Sequence, residues 1–271
     1  MKKLVFIISI LFLTSTLCAE EKQFNLWGSG EEFKLNPVLD GILLPSSFAL
    51  NLTSFFVNKN KTSPSYTDYT FNKDEINGFE RPFINKYNKA LDKTGDIFMI
   101  TSMLLPLSLG FTDNSEWLTI LTMYAETLFL ANGTKELLKD SVIRPRPYNY
   151  FEGAPKKDIK EEDWCHSWPS GHATLSFAGA AFTTFVFARY FPDSNWKWVV
   201  AGTSYAFAVT TAILRMSSGN HYFTDVLTGA AIGTLYGILV PWSHTLTADS
   251  RKKNTASAGL EPAGFSITIN F

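Results

Sequence analysis

Apolar stretches of helical length follow one another from residue 96 to residue 242. Polar turns such as Thr112 to Glu116 and Phe191 to Asn195 join some of them. Short connections make consecutive helices antiparallel neighbours. The pattern therefore predicts an all-α protein, an antiparallel helical bundle of about five to six core helices, with segments near residues 96–111, 117–138, 173–190, 197–214 and 225–242.

The pattern before residue 96 is less regular. Residues 38–57 are apolar and contain Pro45, which predicts a helix that is broken or bent at the proline. Residues 58–75 are rich in Asn, Lys, Ser and Thr, which predicts a loop. The next stretch, 76–95, spaces apolar side chains four residues apart and predicts an amphipathic helix, with Phe79, Phe83, Tyr87 and Leu91 on one face.

The two ends of the chain differ from the bundle. Residues 1–19 combine two lysines, an apolar run and small residues, which predicts a secretory signal peptide cleaved after Ala19; an uncleaved anchor is the alternative. The stretch 244–271 is polar and predicts a mobile tail, whose last residues, GFSITINF, alternate as in an edge strand or docking segment. Between the ends we expect an N-terminal helical and loop region at 20–95 and the bundle at 96–243.

Composition narrows the possible classes of protein. The formal net charge is −1, so the sequence lacks the excess of basic residues that is typical of nucleic-acid-binding proteins. Removal of the signal peptide would remove Cys18 and leave Cys165 alone, so no internal disulfide is expected. A buried or incidental thiol is the favoured interpretation of Cys165, and a nucleophile beside His166 is the alternative.

The apolar pattern does not by itself decide whether the bundle spans a membrane. Uninterrupted apolar runs of about 15–17 residues are short of the ~20 that a span needs, and Glu126 lies inside one of them. The phenylalanine-rich faces and the small residues Gly229, Gly233 and Gly237 in the last segment suit close helix packing within a membrane. We therefore expect a membrane-embedded or membrane-bound bundle, with a soluble bundle as the alternative.

The first stretch with candidate chemistry is KDSVIRPRP, residues 139–147. Its prolines end the preceding helix, which places Lys139 on the last turn and Arg146 just past it. An arginine offers a planar fork for two phosphate oxygens and a lysine adds a point charge. Arg144 is an alternative to Arg146, and solvated charge at a helix end is the alternative for the whole stretch.

The second stretch is PSGH, residues 169–172. Ser170 is placed to cap the helix that follows, and the backbone N–H groups of Gly171 and His172 would face an anion at that helix N-terminus. His172 would stand close enough to give or take a proton. An ordinary helix cap with a surface histidine is the alternative.

The third stretch places Arg215, His221 and Asp225 in RMSSGNHYFTD. On a helix, His221 and Asp225 would share one face, so the carboxylate would accept the proton of one ring nitrogen and leave the other as a lone pair. An oriented imidazole of this kind suits a nucleophile or base. A capping hydrogen bond is the alternative, and a metal site of His172, His221 and Asp225 is disfavoured because three nearby cations would repel a metal.

The three stretches, in this order, resemble the signature of the type 2 phosphatidic acid phosphatase and vanadium haloperoxidase superfamily. That signature reads Lys-x6-Arg-Pro, Pro-Ser-Gly-His and Ser-Arg-x5-His-x3-Asp. Every position matches except one, since Leu214 stands where the family usually has serine. The matching positions include Lys139, Arg146, Pro147, Pro169, Ser170, Gly171, His172, Arg215, His221 and Asp225.

The resemblance implies a role for each matching residue. His221 would attack phosphorus and form a phosphohistidine, Asp225 would orient it, and His172 would protonate the leaving oxygen and then activate water. The phosphate oxygens would be bound by Lys139, Arg146, Ser170, Gly171 and Arg215. The resemblance implies no cofactor and no metal.

We therefore expect a metal-independent phosphatase of the lipid phosphatase-like branch, which hydrolyses phosphomonoesters or diphosphates of lipids. A soluble periplasmic acid phosphatase with broad specificity and a catalytically idle membrane or scaffold protein are the alternatives. The expected partners are a phosphorylated lipid or other phosphate ester and a membrane. The expected location is the cell membrane or periplasm after export, with the site facing the periplasm.

Overall fold

The structure is a computed structural model that describes residues 31–61 and 63–258, with side chains as far as Asp249 except those of Phe111 and Thr247. The signal peptide predicted at 1–19 and the GFSITINF end lie outside the described residues. No β-strand occurs in the described part of the chain, where the backbone is predominantly helical. The expectation of an all-α helical bundle is confirmed.

Seven α-helices make up the described chain. They are α1 (Pro37–Asn60), α2 (Lys89–Leu104), α3 (Trp117–Ser141), the short α4 (Lys156–Lys160), α5 (Gly171–Tyr190), α6 (Trp196–Ser217) and α7 (Phe223–Ala258). Helix α5 is the centre of the bundle and packs against α2, α3, α6 and α7. Its buried side chains, which include Ala178, Ala180, Ala181 and Phe182, are 0–1% exposed.

Small residues set the closest approach in the bundle, between α5 and α7. A Cβ atom on Gly233 would lie 2.1 Å from the carbonyl oxygen of Thr174, and one on Gly237 would lie 2.8 Å from that of Ala178. Only hydrogen at these positions lets the two backbones come so close. This contact places the N-termini of both helices side by side, where the backbone N–H of Ser170 donates to the carbonyl of Asp225 at 3.0 Å.

Three predicted elements differ from the observed ones. Helix α1 begins after its Asn36 cap and continues through Pro45 to Asn60. The amphipathic helix predicted at 76–95 is wrong in its first half: a single 3₁₀ turn and extended backbone precede α2, which starts only after Asn88 accepts hydrogen bonds from Ala90 and Leu91. The predicted tail is helical at its start, because α7 continues to Ala258.

Within the residues that the structure describes, three helices are long and apolar enough to cross a membrane: α1, α6 and the Phe223–Leu246 part of α7. Most of their apolar side chains face outward and not into the bundle, as Val38 (72% exposed) and Trp198 (71%) show. A helix that is apolar on its outer face needs an apolar surrounding. These helices support association of the bundle with a membrane.

Candidate active site

All eight residues singled out from the three motifs lie at one end of the bundle. The C-terminal turns of α3 and α6 carry Lys139 and Arg215, and the N-terminal turn of α5 carries His172. Helices α3 and α6 therefore end where α5 and α7 begin. Antiparallel packing thus brings together motifs that lie far apart in the sequence.

His221 is the centre of this site. Its ring is buried (2% exposed), and Nδ1 lies 2.7 Å from the carbonyl oxygen of Ser167. A carbonyl only accepts, so Nδ1 carries the proton. The other nitrogen, Nε2, lies 3.3 Å from Nη1 of Arg146, a group that only donates. The ring is therefore held as a neutral tautomer whose lone pair on Nε2 faces a guanidinium.

Asp225 lies behind His221, in a different relationship from the one predicted. The two residues do not share a helical face, because His221 belongs to the turn before α7, which begins at Phe223. Oδ2 of Asp225 is 3.6 Å from His221 Nδ1 and instead accepts the backbone N–H of Tyr222 at 2.8 Å. The carboxylate caps the helix and contributes charge behind the ring, while Ser167 takes the ring proton.

The electrostatic surroundings keep His221 neutral. Burial comes first and lowers its pKa well below the usual value, and the positive charges of Arg146, Arg215 and Lys139 lower the pKa further. A nucleophilic imidazole must be unprotonated. The same cations that would bind a phosphate therefore also keep the ring in its reactive form.

Two of these cations share one carboxylate that the sequence analysis missed. Asp163 lies 3.0 Å from Nζ of Lys139 and 2.6 Å from Nη2 of Arg146. Burial would raise the pKa of Asp163, but Arg146 and Lys139 outweigh it and hold that pKa well below the usual range. In the sequence, Asp163 ends the charged run KKDIKEED, where nothing distinguishes it from its solvated neighbours.

A second carboxylate pair comes from the first turns of α2. Asp92 forms a salt bridge with Arg215 and accepts from Nδ2 of Asn220 at 2.9 Å. Asp96, one turn later, accepts from Nε2 of His172 at 2.7 Å and is half exposed. Burial and then the charge of Arg215 lower the pKa of His172 to about 3. His172 thus lies at the mouth of the site with an oriented ring.

Arg144 and Arg146, which the sequence left as alternatives, have different positions. Arg146 lies beside His221, as the motif register requires. Arg144 forms salt bridges with Asp225 and with Glu80, and Thr224 links to the same Glu80. Arg144 therefore supports the rear of the site. Glu80 could not be found from the sequence, since it lies 64 residues before Arg144 in a segment predicted to be part of an amphipathic helix.

The PSGH stretch forms the expected helix start. Ser170 is the N-cap of α5, and its hydroxyl accepts from the backbone of Ala173 at 3.4 Å. A Cβ on Gly171 would lie 3.2 Å from Nζ of Lys135, so the missing side chain makes room for a further buried cation. Lys135 lies one helical turn before Lys139, a spacing that the sequence contained but that the motif did not mark.

Cys165 is not part of this chemistry. Its thiol is fully buried and its Sγ lies 3.4 Å from the carbonyl oxygen of Glu162. Burial raises the pKa of the Cys165 thiol, which disfavours the thiolate that a nucleophile needs. The structure thus agrees with a buried structural cysteine.

The site can bind an oxyanion and attack it. Arg146, Arg215 and Lys139 are close enough to His221 to lower its pKa, and the ring offers a lone pair toward one of them. Cations placed where negative charge develops are the main source of catalysis in phosphoryl transfer. Asp96, which is half exposed, holds the Nε2 proton of His172 and leaves Nδ1 as the ring nitrogen available for proton transfer.

Comparison with known proteins connects this site to a family. The sequence model of the PAP2 superfamily matches residues 120–248, which contain all eight candidate site residues. The chain is 30% identical over 179 residues to Lipid A 1-phosphatase of Porphyromonas gingivalis, a match that covers 65% of this chain and 36% of that protein. It is 29% identical over 185 residues to the bacitracin transport permease protein BcrC of Bacillus licheniformis, covering 64% and 82%.

A solved structure is also similar. The transmembrane PAP2 type phosphatidylglycerolphosphate phosphatase of Bacillus subtilis has a TM-score of 0.44 and 19% identity, covering 76% of this chain and 96% of that protein. This chain spans only about a third of the length of Lipid A 1-phosphatase, but most of the length of BcrC.

Proposed function

We propose that this chain, which belongs to the PAP2 superfamily, is a metal-independent lipid phosphatase that works through a phosphohistidine at His221. The observation that carries the proposal is the state of His221: its Nδ1 proton is bound by Ser167 and its Nε2 lone pair faces Arg146. That is the state from which an imidazole attacks phosphorus.

The first chemical step transfers the phosphoryl group to the histidine. Nε2 of His221 forms a bond to phosphorus while the bond from phosphorus to the leaving oxygen breaks. The negative charge of the bound substrate phosphate raises the low pKa of His172, so that Nδ1 takes up a proton from solvent and gives it to that oxygen, while Nε2–H stays on Asp96. Lys139, Arg146, Arg215 and the Gly171 amide hold the equatorial oxygens, where the charge of the transition state lies.

The second step releases phosphate. His172, now neutral, takes a proton from a water molecule, whose oxygen attacks phosphorus as the bond to Nε2 breaks. Asp225 and the Ser167 carbonyl keep the ring in the same tautomer through both steps. The half-exposed Asp96, hydrogen-bonded to His172, is placed to steady the ring at the entrance.

A lipid phosphate is the substrate class that the surroundings of the site favour. The site lies at one end of a bundle with three helices able to cross a membrane. On α2, the residues that follow Asp96 include Ile97 and Ile100, which are 63% and 51% exposed. Relatives include, besides Lipid A 1-phosphatase, a probable diacylglycerol pyrophosphate phosphatase of Schizosaccharomyces pombe. A headgroup would enter the site while its apolar part stays beside α2.

For localisation, we propose export through the signal peptide at 1–19 and a site that faces the periplasm. For domain organisation, residues 96–243 would form the catalytic bundle. The structure adds α1 and the start of α2 to the elements that pack around that bundle, since α1 lies against α3.

The experiment that tests the function is phosphate release by the purified full chain in detergent with EDTA at 25 °C. Wild type and His221→Ala would be compared on phosphatidate, a polyprenyl diphosphate and a soluble aryl phosphate. Release that persists in EDTA and disappears in the variant is the expected result, with a lipid as the best substrate. Release that needs a metal, or that continues in the variant, would exclude the mechanism. A preference for the aryl phosphate would support the soluble acid phosphatase alternative.

A further inference from the structure

A second cluster of ionisable side chains lies far from the active site. Asp40 on the first turn of α1, Glu126 in the middle of α3 and His244 on α7 bring their ligand atoms within 4.8 Å of one another. His244 follows Asp225 by nineteen residues on one helix, which at the usual rise corresponds to roughly 28 Å. The cluster therefore belongs to the other end of the bundle.

The tautomer of His244 determines what this cluster can bind. Nδ1 lies 2.9 Å from the carbonyl oxygen of Val240, one turn earlier, and a carbonyl requires a donor. Nε2 faces Oδ1 of Asp40 at 2.8 Å and Oε2 of Glu126 at 3.6 Å. A lone pair directed at two carboxylates is repulsive. A proton, carried by Nε2 or by one of the carboxyl groups, or a metal ion must therefore lie between them.

The burial of Glu126 is the second observation that points to a ligand. Its side chain is 0% exposed, and neither carboxylate oxygen has a hydrogen-bond partner among the described residues. Among the described residues, no lysine or arginine forms a salt bridge with Glu126 or Asp40. An uncompensated buried carboxylate is costly. One proton shared with His244 would neutralise one of the two carboxylates, whereas a divalent ion would neutralise both.

We propose that Asp40, Glu126 and His244 bind a divalent transition-metal ion, for which Zn²⁺ is the best match. One imidazole nitrogen and two carboxylate oxygens are a ligand set that zinc accepts, with water in the fourth position. Bonds of about 2.0–2.2 Å place tetrahedral ligand atoms about 3.4 Å apart. Nε2 of His244 lies 3.6 Å from Oε2 of Glu126, close to that value, and 2.8 Å from Oδ1 of Asp40, and the three ligand atoms all lie within 4.8 Å of one another.

The hydrogen bond from His244 to Val240 also fits a metal ligand. Histidines that bind metals almost always donate their second ring N–H to a carbonyl, a carboxylate or water, which fixes the tautomer. Each ligand comes from a different helix, and α1 otherwise contacts mainly α3. The ion would therefore join the N-terminal end of α1 to both α3 and α7. This role is structural and separate from phosphate hydrolysis.

Zinc titration of the full chain tests the proposal. The chain would be purified in detergent without its affinity tag, stripped with EDTA, dialysed and titrated with ZnCl₂, with bound zinc and the thermal midpoint as readouts. The variants are Glu126→Gln and Asp40→Asn, and Asp40 is only partly buried, so its change is the gentler one. Glu116→Gln is the matched control, since Glu116 is another buried carboxylate at the start of α3 outside the cluster.

The expected result is one more zinc ion per chain in wild type and in Glu116→Gln than in the two cluster variants, whose affinity falls at least about tenfold. Zinc should also raise the thermal midpoint of wild type and of Glu116→Gln, but not that of the two cluster variants. Equal zinc binding by all four proteins would overturn the proposal. A midpoint that responds to pH but not to zinc would overturn it too, and would assign a proton to the cluster in place of a metal ion. Neither readout depends on phosphatase activity.

Discussion

The carbonyl oxygen of Ser167 lies 2.7 Å from Nδ1 of His221, closer than the carboxylate of Asp225 at 3.6 Å. A backbone carbonyl thus fixes the tautomer of the proposed nucleophile, while the carboxylate of Asp225 lies behind the ring without a hydrogen bond to Nδ1. The sequence predicted that Asp225 would accept the ring proton of His221, but in the structure the Ser167 carbonyl accepts it and Asp225 contributes charge. This arrangement makes the contributions of the two residues separable by experiment.

We expect His221→Ala to lose activity by about 10⁴-fold or more, because the nucleophile is gone. Asp225→Asn should lose only about 10- to 100-fold, because the Ser167 carbonyl still holds the Nδ1 proton in place. Steady-state kcat/KM and trapping of a phosphorylated enzyme would measure both. An equal loss in the two variants would show that the carboxylate, and not the carbonyl, fixes the ring.

We expect substitution of Arg144 to reduce stability and substitution of Arg146 to reduce activity. Arg144→Gln leaves Glu80 and Asp225 without their cation and should destabilise the fold by about 3–5 kcal/mol. Arg146→Lys keeps the charge beside His221 but loses the planar fork, so it should lower kcat by roughly 10- to 100-fold with little change in thermal midpoint. Loss of phosphate binding in Arg144→Gln with an unchanged midpoint would reverse the assignment.

The free energy of unfolding should decrease as the pH is lowered below about 6.5. The reason is that the pKa of His172 is lowered to about 3 and that of His221 lies well below its usual value. Between the folded and unfolded pKa values the unfolded chain binds more protons than the folded one, so acid favours unfolding. Each histidine contributes up to about 1.4 kcal/mol per pH unit. Thermal midpoints from pH 7 to pH 4.5 would measure this effect, and His172→Asn should show a weaker dependence. An unchanged dependence would mean that His172 is not neutral in the fold.

We expect Gly233→Ala to destabilise the protein by about 3 kcal/mol or more, because its Cβ would lie 2.1 Å from the Thr174 carbonyl and would push α7 away from α5. Gly202→Ala on α6 is the control, since a Cβ there meets nothing within 4 Å and removes a helical glycine. The control should gain about 0.5–1 kcal/mol. Similar midpoints for the two variants would show that α5 and α7 can separate without cost.

The sequence alone predicted the helical bundle, which the structure confirms, and the eight candidate site residues, which the structure brings to one end of that bundle. Helical segments are visible because their apolar pattern is local, and the three motifs are visible because each is a short string with fixed spacing. Even the choice of Arg146 over Arg144 followed from the motif register, and the structure places Arg146 beside His221. The α2 boundary was misplaced because the Asn88 cap competes with a regular apolar spacing.

Tertiary structure alone decided which groups surround those residues. Glu80, Asp92 and Asp163 pair with motif cations from distant or featureless parts of the sequence. The Ser167 carbonyl carries no sequence signal at all, because every residue has one. The cluster of Asp40, Glu126 and His244 joins residues 204 positions apart. Such contacts join segments that are distant in the sequence, so they depend on how the elements pack in three dimensions and leave no local pattern of residues.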